Sequence, residues 1–308
     1  MRDEQNNEGI VQYGKCIDDK VFKVEMREVK NIGGENIIKM VAKDGVEYQD
    51  EKILMNIDRW AEKNLLLFTE FDRFLEDKYK LKEGVSFKKH YENIPENKFS
   101  DKISKNCYRI LRVIRNSIQH NIGSVNYNYK MININYCYNN ILYKLQISKN
   151  GMTSLYTLIM NIMEEKIMDI PEKYRTCGHY EAILNTQYFD VIDEISEFSD
   201  DIGSKREFDK AEGLKLRAET RYVIEKPEIY FEDDTTIVFK HIEFNNTDNE
   251  EDEQYYFSSD YIYKNYILPQ EIGKITKGKG NTFLERKKSA TISFEKTCLQ
   301  NKWKMPNL

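Results

Sequence analysis

DKISKNCYRILRVIRNSIQHNI, residues 101–122, is the stretch whose reading decides how this chain folds. On a wheel of about 100° per residue, Cys107, Ile110, Leu111, Ile114 and Ile118 gather on one side. That stripe predicts an amphipathic helix running from about Asp101 to Ile122 or Gly123, with Ser100 as its N-cap. The opposite side carries Lys102, Lys105, Arg109, Arg112, Arg115, Asn116, Gln119 and His120. Exposed helix faces ordinarily mix signs, because opposite charges four residues apart stabilise a helix and like charges oppose it. Five cations against a single acid, Asp101, predict a face that meets something anionic. Polynucleotide phosphate is the natural candidate, contacted by Lys102, Lys105, Arg109, Arg112 and Gln119.

Working outward, Ile53, Ile57, Trp60, Asn64, Leu67, Phe71, Phe74 and Tyr79 recur at three- and four-residue steps. They predict one long helix over about 51–81, closed by Gly84. Ahead of it, Phe22, Val24 and Met26 alternate with charged residues, and Ile37 to Val41 follow a Gly33-Gly34 turn. Residues 1–48 therefore read as a small β element. After the central helix, alternation from Tyr127 to Tyr136 and from Ile141 to Ile147 predicts a β-hairpin insertion, with a turn at Lys149-Asn150-Gly151. Further helices are expected at about Thr153–Met168 and Tyr180–Phe198. Strands are expected over Leu214–Ile224, Ile229–Phe231 and Ile237–Phe244, followed by an acidic loop, a tyrosine-rich stretch and a basic tail. The fold class is α+β: a β element over 1–48, a helical domain over 49–170, and a helix plus a mainly β region over 171–308.

The 308 residues allow one large domain or two modest ones, and 40% hydrophobic with 32% charged residues suits a globular chain. No apolar run approaches the length of a membrane span, and the opening MRDEQNNEGI lacks the apolar core of a signal peptide. Five scattered cysteines without a CxxC pair point to a reducing compartment, so a cytoplasmic protein with no membrane attachment is expected. The net charge of -5 confines any nucleic-acid contact to local patches.

Within the central helix, Arg115-Asn116-Ser117-Ile118-Gln119-His120 has the form RNxxxH. In that motif, and in the long helix that precedes it, the chain resembles the HEPN domain superfamily over roughly residues 50–170. The resemblance implies a HEPN-like helical bundle that forms a homodimer, pairing two copies of the motif in one composite Arg/His site. It also implies metal-independent endoribonuclease activity, with no cofactor and no metal ligands. Attack of a ribose 2′-OH on the adjacent phosphate needs a proton acceptor at the nucleophile and a donor at the leaving 5′ oxygen. Histidine serves either role near neutral pH. A guanidinium holds the phosphate oxygens and stabilises the charge that builds there. Arg115 is thus the expected phosphate clamp, His120 the acid/base and Asn116 a positioning group. The second acid/base falls to the partner chain or to water, and the products are a 2′,3′-cyclic phosphate and a 5′-OH. Many relatives of this kind act as toxins or antiviral defence effectors, which implies an antitoxin or a defence-complex subunit as partner beside RNA. The alternatives are a non-catalytic RNA- or nucleotide-binding dimer and a structural subunit of a defence or restriction complex.

Other signals are weaker. Gly273 to Gly280 begins like a P-loop but has Gly280 where a hydroxyl is needed. Its lysines, Lys277 and Lys279 among them, read instead as a basic arm for RNA. Cys177-Gly178-His179 lacks a second ligand pair for zinc, and the Glu285-Arg286-Lys287 fragment of a metal nuclease lacks a placed upstream Asp. His90 and His241 read as isolated, a surface-loop and a strand residue.

Overall fold

The computed structural model describes residues 24–32, 35–42, 57–120, 122–128, 130–165, 174–210, 213–216, 220–241, 258–279 and 289–306. Its elements begin with strands β1 (Val24–Ile32) and β2 (Glu35–Ala42), then helices α1 (Ile57–Tyr79), α2 (Phe87–Asn93) and α3 (Phe99–His120). Strands β3 (Val125–Tyr127), β4 (Met131–Tyr138) and β5 (Ile141–Ser148) follow, then helices α4 (Lys149–Glu164) and α5 (Cys177–Asp193) and strand β6 (Ile195–Ser199). The remainder is β7 (Thr220–Ile224), β8 (Ile229–Glu232), β9 (Thr236–Lys240), β10 (Ser258–Tyr263), β11 (Tyr266–Pro269), β12 (Lys274–Thr276) and β13 (Thr291–Glu295). The chain is mixed α+β and divides into two compact units. Among the described residues, the first holds 57–165 and 184–213, and the second holds 24–42, 174–183 and 214–306.

These units cut across the sequence boundaries at 48 and 170. The N-terminal strands are no separate element, because β2 pairs antiparallel with β7, Ile38 opposite Val223. A two-stranded hairpin alone leaves both edges open and is marginal in water, so joining a larger sheet is the stable outcome. Residues 184–213 return to the helical unit.

In the first unit, α1 buries Trp60, Asn64, Leu67, Phe68, Phe71 and Leu75, the expected stripe. The chain leaves it through left-handed positions at Lys80 (φ 54°) and Gly84 (φ 73°). Helix α3 departs from the amphipathic expectation. Ile103, Cys107, Ile110, Leu111, Val113 and Ile114 are buried, and so are Lys105, Tyr108, Arg109 and Arg112 on its other side. Helix α3 packs against α1, α2 and α4, and against β4 and β5. It starts at Phe99, two residues earlier than Ser100 capping requires, and the Asp101 carboxylate accepts from the Lys98 N–H at 3.1 Å.

Strands β3-β4-β5-β6 form one antiparallel sheet, so the expected hairpin is the middle of a four-stranded sheet and no insertion. Its turn is Asn139-Asn140, both left-handed (φ 49° and 60°), the pairing that two-residue hairpin turns favour. Lys149-Asn150-Gly151 instead opens α4, where the Ser148 hydroxyl accepts from the Gly151 N–H at 2.9 Å. The helix expected to reach Phe198 ends at Asp193, and Ile195 and Phe198 become buried residues of β6.

The second unit has a five-stranded sheet, β1-β2-β7-β10-β11, and a four-stranded sheet, β12-β13-β9-β8. Among the described strands, only β7 and β10 run parallel. Ile237, Phe239, Ile292 and Phe294 of one sheet share a core with Tyr222, Ile224, Tyr261 and Tyr263 of the other. The Phe239 and Tyr261 rings stack at 5.6 Å. Buried Arg221 ties β7 to β10 through a two-point contact with Asp260, at 2.9 and 2.5 Å, and to Glu271 beyond.

Candidate functional site

Arg115 and Asn116 stand in the last turns of α3, in the first unit. The Arg115 guanidinium lies over the Phe87 ring at 4.5 Å, and its Nη1 donates to Asn116 Oδ1 at 3.0 Å. The side chain is part-exposed. Burial lowers its pKa from the ordinary value, while the nearby Tyr108 and Asp72 pull it back up. Among the described residues no carboxylate comes within ion-pair distance of it. On its other flank, Asn116 lies beside the Tyr136 phenol, whose ring stacks on Tyr143 at 4.9 Å.

His120 is the last residue of α3 and is exposed. It lies five residue steps along the helix from Arg115, a rise of about 7.5 Å and a rotation of about 140°.

The cationic stripe is corrected. Arg109 is 1% exposed and grips Asp200 at two points, Nε to Oδ2 at 2.8 Å and Nη2 to Oδ1 at 2.5 Å. Its guanidinium lies against both the Phe198 and Phe208 rings, 5.0 Å from each, and those rings meet each other at 4.7 Å. Arg112 pairs with Asp200 at 3.2 Å and also with Asp201. Lys105 is buried against Glu96 at 2.7 Å and lies over the Tyr91 ring. The anions that the stripe called for are carboxylates of this chain, Asp200 and Asp201 from the turn after β6 and Glu96 from the α2–α3 connection, and Arg109, Arg112 and Lys105 are spent inside the fold. Lys102 and Gln119 remain exposed on α3. Lys277 and Lys279 are exposed in the second unit, just past β12.

His90, expected from the sequence to be an isolated surface-loop residue, is instead buried on a helix within a cluster of acids. His90 on α2 is 2% exposed, its Nδ1 2.9 Å from Asp72 Oδ1 and its Nε2 3.0 Å from the Lys82 carbonyl. Glu76 Oε1 is 3.4 Å from Nε2, and the Tyr108 hydroxyl donates to Asp72 at 2.6 Å. A carbonyl only accepts, so Nε2 carries a proton, and a carboxylate at Nδ1 favours a second one. Burial acts to lower the imidazole pKa, yet the hydrogen bonds to Asp72 and Lys82 and the charges of Asp72 and Glu76 leave it raised. Ligand atoms of Asp72, Glu76 and His90 lie within 4.8 Å of one another. With both ring nitrogens committed to oxygen, this cluster is built to hold a proton.

The discarded signals take ordinary places. Lys274–Thr276 of the P-loop-like stretch is strand β12, and Gly280 lies outside the described residues. Cys177 is exposed, whereas His179 is buried with its Nδ1 2.7 Å from the Thr176 hydroxyl, so the two do not converge. His241 is buried against the Tyr261 hydroxyl at 2.8 Å. Residues 285–287 lie outside the described residues. The chain matches no protein-family model, no curated protein and no solved structure.

Proposed function

We propose that the first unit acts as a metal-independent endoribonuclease of HEPN type, working as a homodimer in the manner of a toxin or defence effector. The observation that carries this reading is the contrast along α3. Lys105, Arg109 and Arg112 each have a carboxylate, while Arg115, in the RNxxxH motif, is propped on Phe87 and oriented by Asn116 with no carboxylate of its own among the described residues. An arginine held in that way keeps most of its five donors for an incoming anion. In the proposed reaction Arg115 holds the scissile phosphate, and His120 of one chain moves a proton at the 2′-OH or the 5′ oxygen. The partner chain or water completes the transfer. Neutralisation of the inner cations makes the contact local, with Lys102 and Gln119 alongside. RNA and a second copy are the partners of this reading, with an antitoxin or defence-complex subunit as its regulator.

The test is cleavage of labelled RNA in EDTA by wild type, Arg115→Ala and His120→Ala. Cutting that survives EDTA and is lost in both variants supports the reading. Cutting that EDTA abolishes, or that both variants retain, overturns it. RNA binding lost in Arg115→Ala, without cutting by wild type, would assign the non-catalytic binding role.

A further inference from the structure

The four-stranded sheet of the second unit ends in two different edges. Residues facing one another across it form a row: Ile229 on β8, Phe239 on β9, Ile292 on β13 and Ile275 on β12. Phe239 and Ile292 are fully buried in the core, while the two end members stay open, Ile229 at 48% and Ile275 at 41% exposure. The core-facing row therefore runs out to solvent at both edges. Phe231, at 53%, adds apolar surface on β8.

The edges also differ in charge. Around β8 stand Glu228, Glu232, Asp233 and Asp234. Two of these have partial partners, Lys240 for Glu228 at 3.3 Å and Lys296 for Glu232 at 3.0 Å. On β12 stands Lys274, with Lys277 and Lys279 just past it, all exposed and without a carboxylate at ion-pair distance among the described residues. Natural proteins commonly use edge charge to prevent sheet-to-sheet pairing. Here the charge blocks only like pairs, since β8 against β8 crowds acids and β12 against β12 crowds lysines. An unlike pair is attractive.

Strand direction agrees. Each neighbouring pair in β12-β13-β9-β8 is antiparallel, so β12 and β8 run in opposite directions. A second copy shifted along the sheet would offer its β12 to β8 as the next antiparallel strand, continuing the row from Ile229 to Ile275.

We infer that the second unit is a self-association module in which the acidic β8 edge of one copy takes the basic β12 edge of another, head to tail. Such a contact is heterologous and leaves a free edge of each kind on every assembly, so growth is open-ended. The strands are short and the contact is weak and salt-sensitive. It uses the second unit alone and is independent of the nuclease reading.

Sedimentation velocity on the full chain over a concentration series tests it, with Ile229→Lys, Ile275→Glu and an equal mixture of the two. Both positions are exposed, and circular dichroism melts confirm that each variant folds. The wild type should grow with concentration and shrink as NaCl is raised. Each variant should lose that growth, and the mixture should regain a species larger than either alone, because each supplies the edge the other lacks. A wild type that grows no further than a dimer, growth beyond a dimer that survives either substitution, or a mixture no larger than its components would overturn the inference.

Discussion

Arg109 and Asp200 are joined at two points, 2.8 and 2.5 Å, with both side chains shut off from water. Asp200 also pairs with Arg112 and accepts the N–H groups of Ile202 and Gly203, each at 3.0 Å. One carboxylate therefore engages two cations of α3, with Asp201 supplying the second negative charge at Arg112, and pins the turn after β6. Removing one member of such a pair strands a buried charge, a loss of about 3–5 kcal/mol. Asp200→Ala should lose that much in urea unfolding, whereas exposed Lys102→Ala should stay within about 0.5 kcal/mol. Equal effects would show that the turn is not held by this pair.

The raised pKa of His90 fixes the direction of a pH effect. A group whose pKa is higher folded than unfolded contributes stability that is complete below its unfolded value, about 6.5. That contribution is lost as pH rises through the folded value. The groups that set it are Asp72 and Glu76 on α1 and the Lys82 carbonyl, with the Tyr108 hydroxyl also on Asp72. The stability of the first unit should fall on going from pH 6.5 upward, with a slope no steeper than about 1.4 kcal/mol per pH unit for one proton. His90→Gln should flatten that limb. An unchanged slope in the variant would place the titration elsewhere.

Much of this architecture is readable in the sequence, and the failures have nameable physical causes. The α1 stripe, the β4 and β5 alternation and strands β7 to β9 follow from local periodicity. The burial of Arg109 and Arg112 does not, because their partners lie on a turn about 90 residues later. A cationic stripe looks the same whether phosphate or Asp200 answers it. His90 escaped because α2 spans only seven residues, too few for a periodic signal. The RNxxxH motif was legible as a motif, and so was its place at the end of a helix. That Phe87 carries Arg115 was not, since nothing local links residues 87 and 115. The misplaced turn at Lys149 has a local explanation: Lys-Asn-Gly suits a turn, but Ser148 ahead of it caps a helix.

If Arg115 is the phosphate clamp, the ring beneath it sets how well the guanidinium is aimed. A cation over an aromatic face at a part-exposed site is worth about 0.5–1 kcal/mol, rising to about 2 when water is excluded. Phe87→Leu keeps the apolar contact and removes the ring face. It should lower kcat/KM for RNA cleavage by roughly 3- to 30-fold. Arg115→Ala should cost more, on the order of 100-fold or greater, because the developing charge then loses its donor. A Phe87→Leu variant as impaired as Arg115→Ala would indicate that the ring holds the local fold and does not merely aim the guanidinium.

Gly151 and Gly123 should respond to the same substitution with opposite signs. A Cβ on Gly151 would sit 2.6 Å from Glu194 Cβ and 2.7 Å from Ile147 Cγ1, where α4 starts between the end of β5 and the approach to β6. Helix propensity alone would favour alanine there. The crowding should win, because both neighbours are anchored close to backbone, and over-packing of this kind costs about 1–3 kcal/mol. Gly123, in the short turn after α3, has nothing within 4 Å of the added carbon. Gly123→Ala should be neutral or gain about 0.4–1 kcal/mol by restricting the unfolded chain. Chemical denaturation of the two variants separates the cases: a Gly151→Ala protein as stable as wild type would mean that β5 and the Glu194 turn can move apart, which their direct contact argues against.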